Sequence, residues 1–272
     1  MDSMAGLREF IKNELGIKMP PTKVPMLCSR LQKRIRSLNL ANIDEYQEYL
    51  FKAPGGRQEL VEFVDAVTTN KTDFYREPSH FEHLVQHALA EIVALPDRDA
   101  RAPLKVWCAG CSTGEEPYTI AMLLAEHGRA AGVTDFRILA TDISTRVLAH
   151  ARAGIYDIER IAPLPAELRR YVMRSKKPSN RVVRVVPALR ERVSFHRLNF
   201  MDEDYGVADQ FDVVFFRNVA IYFDAPTQEA VVRKLCRNLR PGGYFFLGQS
   251  ETLSGSRTQP LRHIGPSTYR RT

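Results

Sequence analysis

Apolar residues recur at intervals of three and four through the first part of the chain, which predicts helices and not strands there. The opening MDSMAGLREFIKNEL reads as one amphipathic helix. In LCSRLQKRIRSL, Leu27, Leu31, Ile35 and Leu38 form an apolar stripe, while Arg30, Lys33, Arg34 and Arg36 project mainly from the remaining surface. IDEYQEYLFK repeats the pattern with Ile43, Tyr46, Tyr49 and Leu50. The APGG break at 53–56 precedes a further helix, RQELVEFVDAVTTN. PSHFEHLVQHALAEIVAL (78–95), opened by proline, leads into the second part of the chain. No strand-like alternation occurs before residue 100.

After Pro103 the pattern changes to short apolar runs separated by helical ones. LKVWCAG, FRILATD, RVSFHRLNF, FDVVFFRN and YFFLGQS read as strands. EEPYTIAMLLAEHG, STRVLAHARAG and TQEAVVRKLCRNL read as helices. This alternation specifies the α/β class, with a doubly wound, mostly parallel sheet. YFFLGQS and the terminal HIGPSTYRR are expected to close it with an antiparallel hairpin. Between Gly154 and Arg192 lie almost forty residues where a connection of about 2–6 is usual. Within them PAELRRYVM looks helical and RVVRVV looks like strand, so a small inserted subdomain is expected at about 155–192. The chain divides into a helical unit with its linker at 1–90 and a sheet-containing unit at 91–272.

Composition is that of a globular protein, 44% hydrophobic and 26% charged over 272 residues. There is no apolar run of about 18 residues and no signal-peptide pattern, so a soluble, cytoplasmic protein without membrane insertion is expected. The net charge of +7 is unevenly placed. Leu15 to Ile43 holds no acidic residue, and Arg160 to Arg197 carries eleven Lys and Arg against Glu167 and Glu191. Two such blocks imply an acidic partner. Cys108 and Cys111 form a CxxC, but no second pair and no histidine at ligand spacing complete a metal site.

The first strand runs into Ala109-Gly110-Cys111-Ser112-Thr113-Gly114-Glu115-Glu116. Two glycines let the backbone turn tightly and approach a ligand. The spacing is not that of a dinucleotide fingerprint, and no Lys-Ser/Thr follows to make a phosphate loop. Carboxylates at such a turn repel a pyrophosphate but suit a cation, such as the sulfonium and ammonium of S-adenosylmethionine. Asp142, ending FRILATD, is placed to accept hydrogen bonds from ribose hydroxyls or to cap the helix near Ser144.

At this point the chain resembles the CheR-type chemoreceptor glutamate methyltransferases. The likeness lies in TTNKTDFYRE (68–77), CSTGEEPYTIAM (111–122), ATDIS (140–144), RNVAIYF (217–223) and PGGYFFLGQSE (241–251). It implies an N-terminal all-helical domain, a Rossmann-like S-adenosylmethionine-dependent methyltransferase sheet and an inserted β-subdomain. It also implies that Asn70, Thr72 and Arg76 contact the cofactor, that Glu115 binds its methionyl or ribosyl end and Asp142 the ribose, and that Asn199 and Phe200 flank adenine. Arg217 and Asn218 would close the pocket, with Arg76 and Tyr222 positioning the reacting groups. S-adenosylhomocysteine would be the product. Arg30, Lys33, Arg34 and Arg36 would dock on the acidic cytoplasmic methylation helices of a receptor, with no nucleic acid as partner. Two departures stand out: Ala220 replaces a larger aliphatic residue, and SKKPSNR (175–181) replaces the glycine-rich loop with which some members bind a receptor tether. Tether-independent action is therefore expected. The rival enzyme, a nucleic-acid methyltransferase, lacks support, because Arg217-Asn218-Val219 stands where an Asn-Pro-Pro-aromatic sequence would follow the fourth strand.

Overall fold

The computed structural model describes residues 4–99, 101–133, 135–177, 179–253 and 260–272. The helical part comprises α1 (Ala5–Leu15), α2 (Val24–Ser37), α3 (Ile43–Lys52) and α4 (Gly56–Val67). Their apolar stripes meet in one core built on Leu7, Ile11, Leu27, Leu31, Tyr46 and Phe63, all fully buried. Gly16, at φ 69°, ends α1 in the left-handed conformation that glycine adopts without penalty. Asn42 caps α3 by accepting from the backbone N–H of Asp44 and Glu45.

The expectation that α2 presents a row of free cations needs correction. The Arg34 Nη2 pairs with the buried Glu59 at 2.6 Å, and Tyr46 donates its hydroxyl to the same carboxylate at 2.7 Å. Arg30 donates to the carbonyls of Val67 and Thr68 at 2.8 and 3.0 Å, tying down the end of α4. A carboxylate buried at Glu59 requires a partner, and the carbonyls ending a helix require donors, so two of the four cations are spent internally. Lys33 and Arg36 remain exposed.

Next come α5 (Pro78–His83), a π-helical turn (Leu84–Ala88) and α6 (Leu89–Val93). The main sheet contains β1 (Leu104–Ala109), β2 (Phe136–Asp142), β6 (Val193–Arg197), β7 (Phe211–Phe216), β8 (Leu239–Leu247), β9 (Leu261–Gly265) and β10 (Thr268–Arg271). Its order is β6-β2-β1-β7-β8-β10-β9. The first five pair in parallel, and α7 (Glu115–His127), α8 (Thr145–Ala153) and α10 (Ala225–Arg237) connect strands of this parallel part. The expected antiparallel closure is present as β10 against β8, with β9 added outside β10. On its other side YFFLGQS lies parallel to β7. A second sheet, β3-β5-β4, is formed by β3 (Ile155–Asp157), β4 (Val172–Arg174) and β5 (Val182–Val185), and the four-residue α9 (Pro187–Arg190) follows it. PAELRRYVM is helical only as a 3-10 segment, Ala166–Tyr171, after which Val172 opens β4. Pro178, within the 175–181 segment, lies outside the described residues.

From β1 the chain passes to β2 on one side, while β7 lies on the other. The crevice beyond the carboxyl ends of β1, β2 and β7 is the place where such a sheet binds ligands. The helical part closes over it. Lys18 N–H donates to the Tyr222 carbonyl at 2.8 Å, and Asn199 Nδ2 donates to the Glu14 carbonyl at 2.7 Å. Asp65 takes hydrogen bonds from Thr145 Oγ1 and Arg146 N–H at the start of α8.

Candidate active site

The crevice encloses an empty volume of about 1150 Å³, part of it open to solvent. Three stretches line it: Leu15 to Met26 from the helical part, Val67 to Arg76 from the linker, and the turns beyond the sheet. Of the residues singled out from sequence, Asn70, Thr72, Arg76, Asp142, Asn199, Phe200, Arg217, Asn218 and Tyr222 all face it.

Glu115 does not line the cavity. Its Oε1 accepts from Arg160 Nη2 at 2.6 Å and its Oε2 from Thr113 Oγ1 at 2.6 Å, so it anchors the inserted subdomain to α7. Glu116 faces the cavity in its place. Adjacent residues at the start of a helix point about 100° apart, so only one of two consecutive carboxylates can enter a given crevice. Burial pushes the Glu116 carboxyl up, opposed by the charge of Arg217, whose Nη1 lies 3.3 Å away.

Asp142 is positioned by the backbone. Its Oδ2 accepts from Ser112 N–H at 2.8 Å and its Oδ1 from Ser144 N–H at 3.0 Å. Ser144, not Asp142, is the cap of α8, accepting from Val147 N–H. Burial raises the Asp142 carboxyl above its usual value, and these N–H groups pull it back. Each carboxylate oxygen keeps a further lone pair for a ligand.

Two carboxylates stand behind the cavity wall without touching the space. Glu77, itself in the left-handed region at φ 57°, accepts from Asn218 Nδ2 at 3.0 Å, Arg217 Nη2 at 3.1 Å and Gln249 N–H at 3.0 Å. Burial alone would lift its carboxyl, but the bond from Asn218 and the charge of Arg217 hold it below the usual value. Glu251 accepts from the backbone of Gly248, Asn218 and Ile221. Spacing could not reveal either role, because their partners are distant in the chain, although both residues close segments that carry the family likeness, 68–77 and 241–251.

At the helical side, Arg76 reaches the cavity with Nη1 on the Lys71 carbonyl at 3.0 Å. Lys23 Nζ lies 5.8 Å from the centre of the Tyr222 ring. Burial holds the Tyr222 phenol above its ordinary value, opposed by the positive charges of Arg76 and Arg30. The hydroxyl is therefore protonated at neutral pH and able to donate.

These residues fit S-adenosylmethionine. Gly110 lines the space at φ 92°, where an added Cβ would stand 2.4 Å from Val219. Arg217 leaves Nε buried without a hydrogen-bond partner, which a ligand carboxylate or water can supply. The carboxylates of Asp142 and Glu116 suit ribose hydroxyls and a cation respectively.

Comparison with known proteins decides the family. Residues 2–68 match the CheR methyltransferase all-alpha domain, and residues 70–269 match the CheR methyltransferase SAM binding domain. The chain belongs to the CheR methyltransferase family. It is 39% identical over 266 residues to chemotaxis protein methyltransferase 2 of Pseudomonas aeruginosa, covering 97% of this chain and 90% of that protein. It is 36% identical over 271 residues to the chemotaxis protein methyltransferase of Borreliella burgdorferi, covering 99% and 94%. With that of Escherichia coli it shares 39% identity over 250 residues, covering 91% and 83%. As a CheR protein it is a chemotaxis methyltransferase that uses S-adenosylmethionine. No described helix is long and apolar enough to cross a membrane. Cys108 and Cys111 are both buried, and burial pushes both thiols well up.

Proposed function

We propose that this protein, acting in the cytoplasm, methylates glutamate side-chain carboxylates in the methylation helices of chemoreceptors, forming methyl esters for adaptation. The observation that carries this reading is the pairing of Tyr222 with cations at one cavity. A protonated phenol shares the cavity with Arg76 and Lys23, and Arg30 adds positive charge near it. Such a wall suits an anionic acceptor better than a neutral amine or hydroxyl.

When bound, S-adenosylmethionine supplies a methyl group on a cationic sulfur. Asp142 holds ribose hydroxyls, Asn199 and Phe200 flank the base, and Asn70, Thr72, Arg217 and Asn218 enclose the remainder. Glu116 faces the positive charge. The acceptor glutamate, with pKa of about 4.3, is already ionised at neutral pH, so no side chain need act as base. What remains is alignment and removal of water from the carboxylate. Tyr222 donates its hydroxyl to one acceptor oxygen and leaves the other free to attack. Arg76 offsets the charge of the incoming carboxylate while it sheds water.

Lys33 and Arg36, exposed on α2, are the cations available for a receptor's acidic helix. Catalysis is independent of a receptor tether, a reading supported by the lysine-rich 175–181 segment. Incubation of the protein with methyl-labelled cofactor, a receptor cytoplasmic fragment and RNA tests the whole reading. Base-labile label on the fragment, with or without its C-terminal tail, is the expected result. Base-stable label, label on RNA, or cofactor binding without transfer would each overturn it.

A further inference from the structure

We propose that Glu251 is a positioning residue for the reaction, holding the turn that carries Tyr222, so that turnover depends on Glu251 through Tyr222. This rests on the role given to Tyr222 above.

Glu251 follows β8, is 4% exposed, and is absent from the cavity lining. Its carboxylate is the meeting point of two chain segments. Oε2 accepts from Gly248 N–H at 2.7 Å and Asn218 N–H at 2.8 Å, while Oε1 accepts from Ile221 N–H at 3.2 Å. Asn218 is left-handed at φ 58° and Val219 is right-handed at φ −117°. Successive residues of opposite hand turn their N–H groups toward one concave side, where an anion binds. Here the anion is supplied by the protein. The Ala220–Tyr222 turn that follows closes on two backbone bonds, Tyr222 N–H to the Val219 carbonyl at 3.1 Å and Phe223 N–H to the Ala220 carbonyl at 3.0 Å, while the carboxylate takes the Ile221 N–H between them.

The approach is built for closeness. A Cβ on Gly248 would stand 2.6 Å from Asn218 Nδ2 and 2.7 Å from Glu251 Oε2. Glutamine at 251 would offer one acceptor oxygen and turn an NH₂ group against N–H donors, while aspartate keeps both oxygens on a shorter stem. Charge-assisted bonds to backbone N–H are about twice as strong as neutral ones, so the two substitutions separate charge from reach. Ala220 and Phe223 anchor the two ends of this turn in the core, while Ile221 at its tip is 45% exposed and is held through its N–H bond to Glu251.

The test is a double-mutant cycle on receptor-fragment methylation, with S-adenosylhomocysteine binding measured alongside. Glu251→Gln is expected to lower kcat about 30-fold, Glu251→Asp to recover a large part of that loss, and product affinity to change less than about threefold. In the Tyr222→Phe background, Glu251→Gln should lower kcat by less than about threefold, because the group it positions is already gone. Equal losses in both backgrounds, or an unchanged kcat for Glu251→Gln beside a slow Tyr222→Phe, would overturn the proposal. An unimpaired Tyr222→Phe would instead overturn the role given to Tyr222. If Glu251→Gln does not fold, amide exchange in the native protein decides. Slow exchange at Gly248, Asn218 and Ile221 is expected, and rapid exchange there overturns the proposal.

Discussion

On the sheet side of the cavity, Asp142 is held by backbone N–H groups, and Glu77 and Glu251 brace the wall behind it. On the helical side Lys18, Lys23 and Arg76 reach the same space on long side chains. The acidic wall is rigid because its partners are parts of the fold. On the basic wall Arg76 rests on the Lys71 carbonyl, while Lys18 and Lys23 lose rotamer freedom when an anion arrives. A small cofactor benefits from a rigid cradle, whereas a protein substrate that presents several glutamates in turn benefits from adjustable cations.

The largest expected effect lies on the rigid wall. Asp142→Ala should weaken S-adenosylhomocysteine binding by about 100-fold, roughly 3 kcal/mol, because ribose contacts and two backbone anchors are lost together. Calorimetric titration with near-native affinity would refute a preformed cradle. Beneath the same wall, His80 is 2% exposed, and burial pushes its imidazole down to about 4, with Arg217 and His83 adding to this and Glu77 opposing it. The unfolded chain takes up that proton near pH 6.5, so stability should fall as pH drops from about 6.5 to 4, by at most about 3 kcal/mol. Thermal melts of His80→Phe that keep the full acid sensitivity would assign it to other groups.

Glu116 and Glu115 sharpen the contrast between a ligand-facing and a structural acid. Glu116→Gln should weaken S-adenosylmethionine binding about tenfold and the product, which lacks the sulfonium charge, less, whereas Glu115→Gln should lower Tm with little change in affinity. The reverse pattern would return Glu115 to the cavity. On the adjustable wall, Lys33→Glu with Arg36→Glu should slow receptor methylation only a few-fold, more at low salt, and leave Tm unchanged. Arg34→Glu, by contrast, should cost about 3–5 kcal/mol of stability by leaving Glu59 buried and unpaired. If α2 charge reversal leaves receptor kinetics at low salt untouched, docking lies elsewhere.

The main sheet could be read from sequence because its strands are short apolar runs with glycine turns, a local signal. The cradle residues Gly110 and Asp142 were legible because strand ends fall where ligands bind in such sheets. Choosing between Glu115 and Glu116 needs the rotation of α7, which a one-dimensional pattern does not carry. The fates of Arg30 and Arg34 depend on Val67 and Glu59, some 25 to 37 positions away. A helical wheel reports which way a cation points, not whether a buried acid lies within its reach. The 3-10 segment at Ala166–Tyr171 was too short for periodicity to separate it from an α-helix.

The linker segment between Asn70 and Glu77 has a thermodynamic consequence. Tyr75 and Glu77 both sit at positive φ, at φ 56° and 57°, a conformation that costs side-chain-bearing residues of order 1 kcal/mol each. Tertiary contacts hold them there: Thr119 Oγ1 accepts from Tyr75 N–H, and Glu77 ties back to the turn after β7. Because this segment lines the cavity, ligand binding and the melting of the segment are linked equilibria. Saturating product should therefore raise the melting temperature with ligand concentration, and protect the 70–77 amides more than the distant helices.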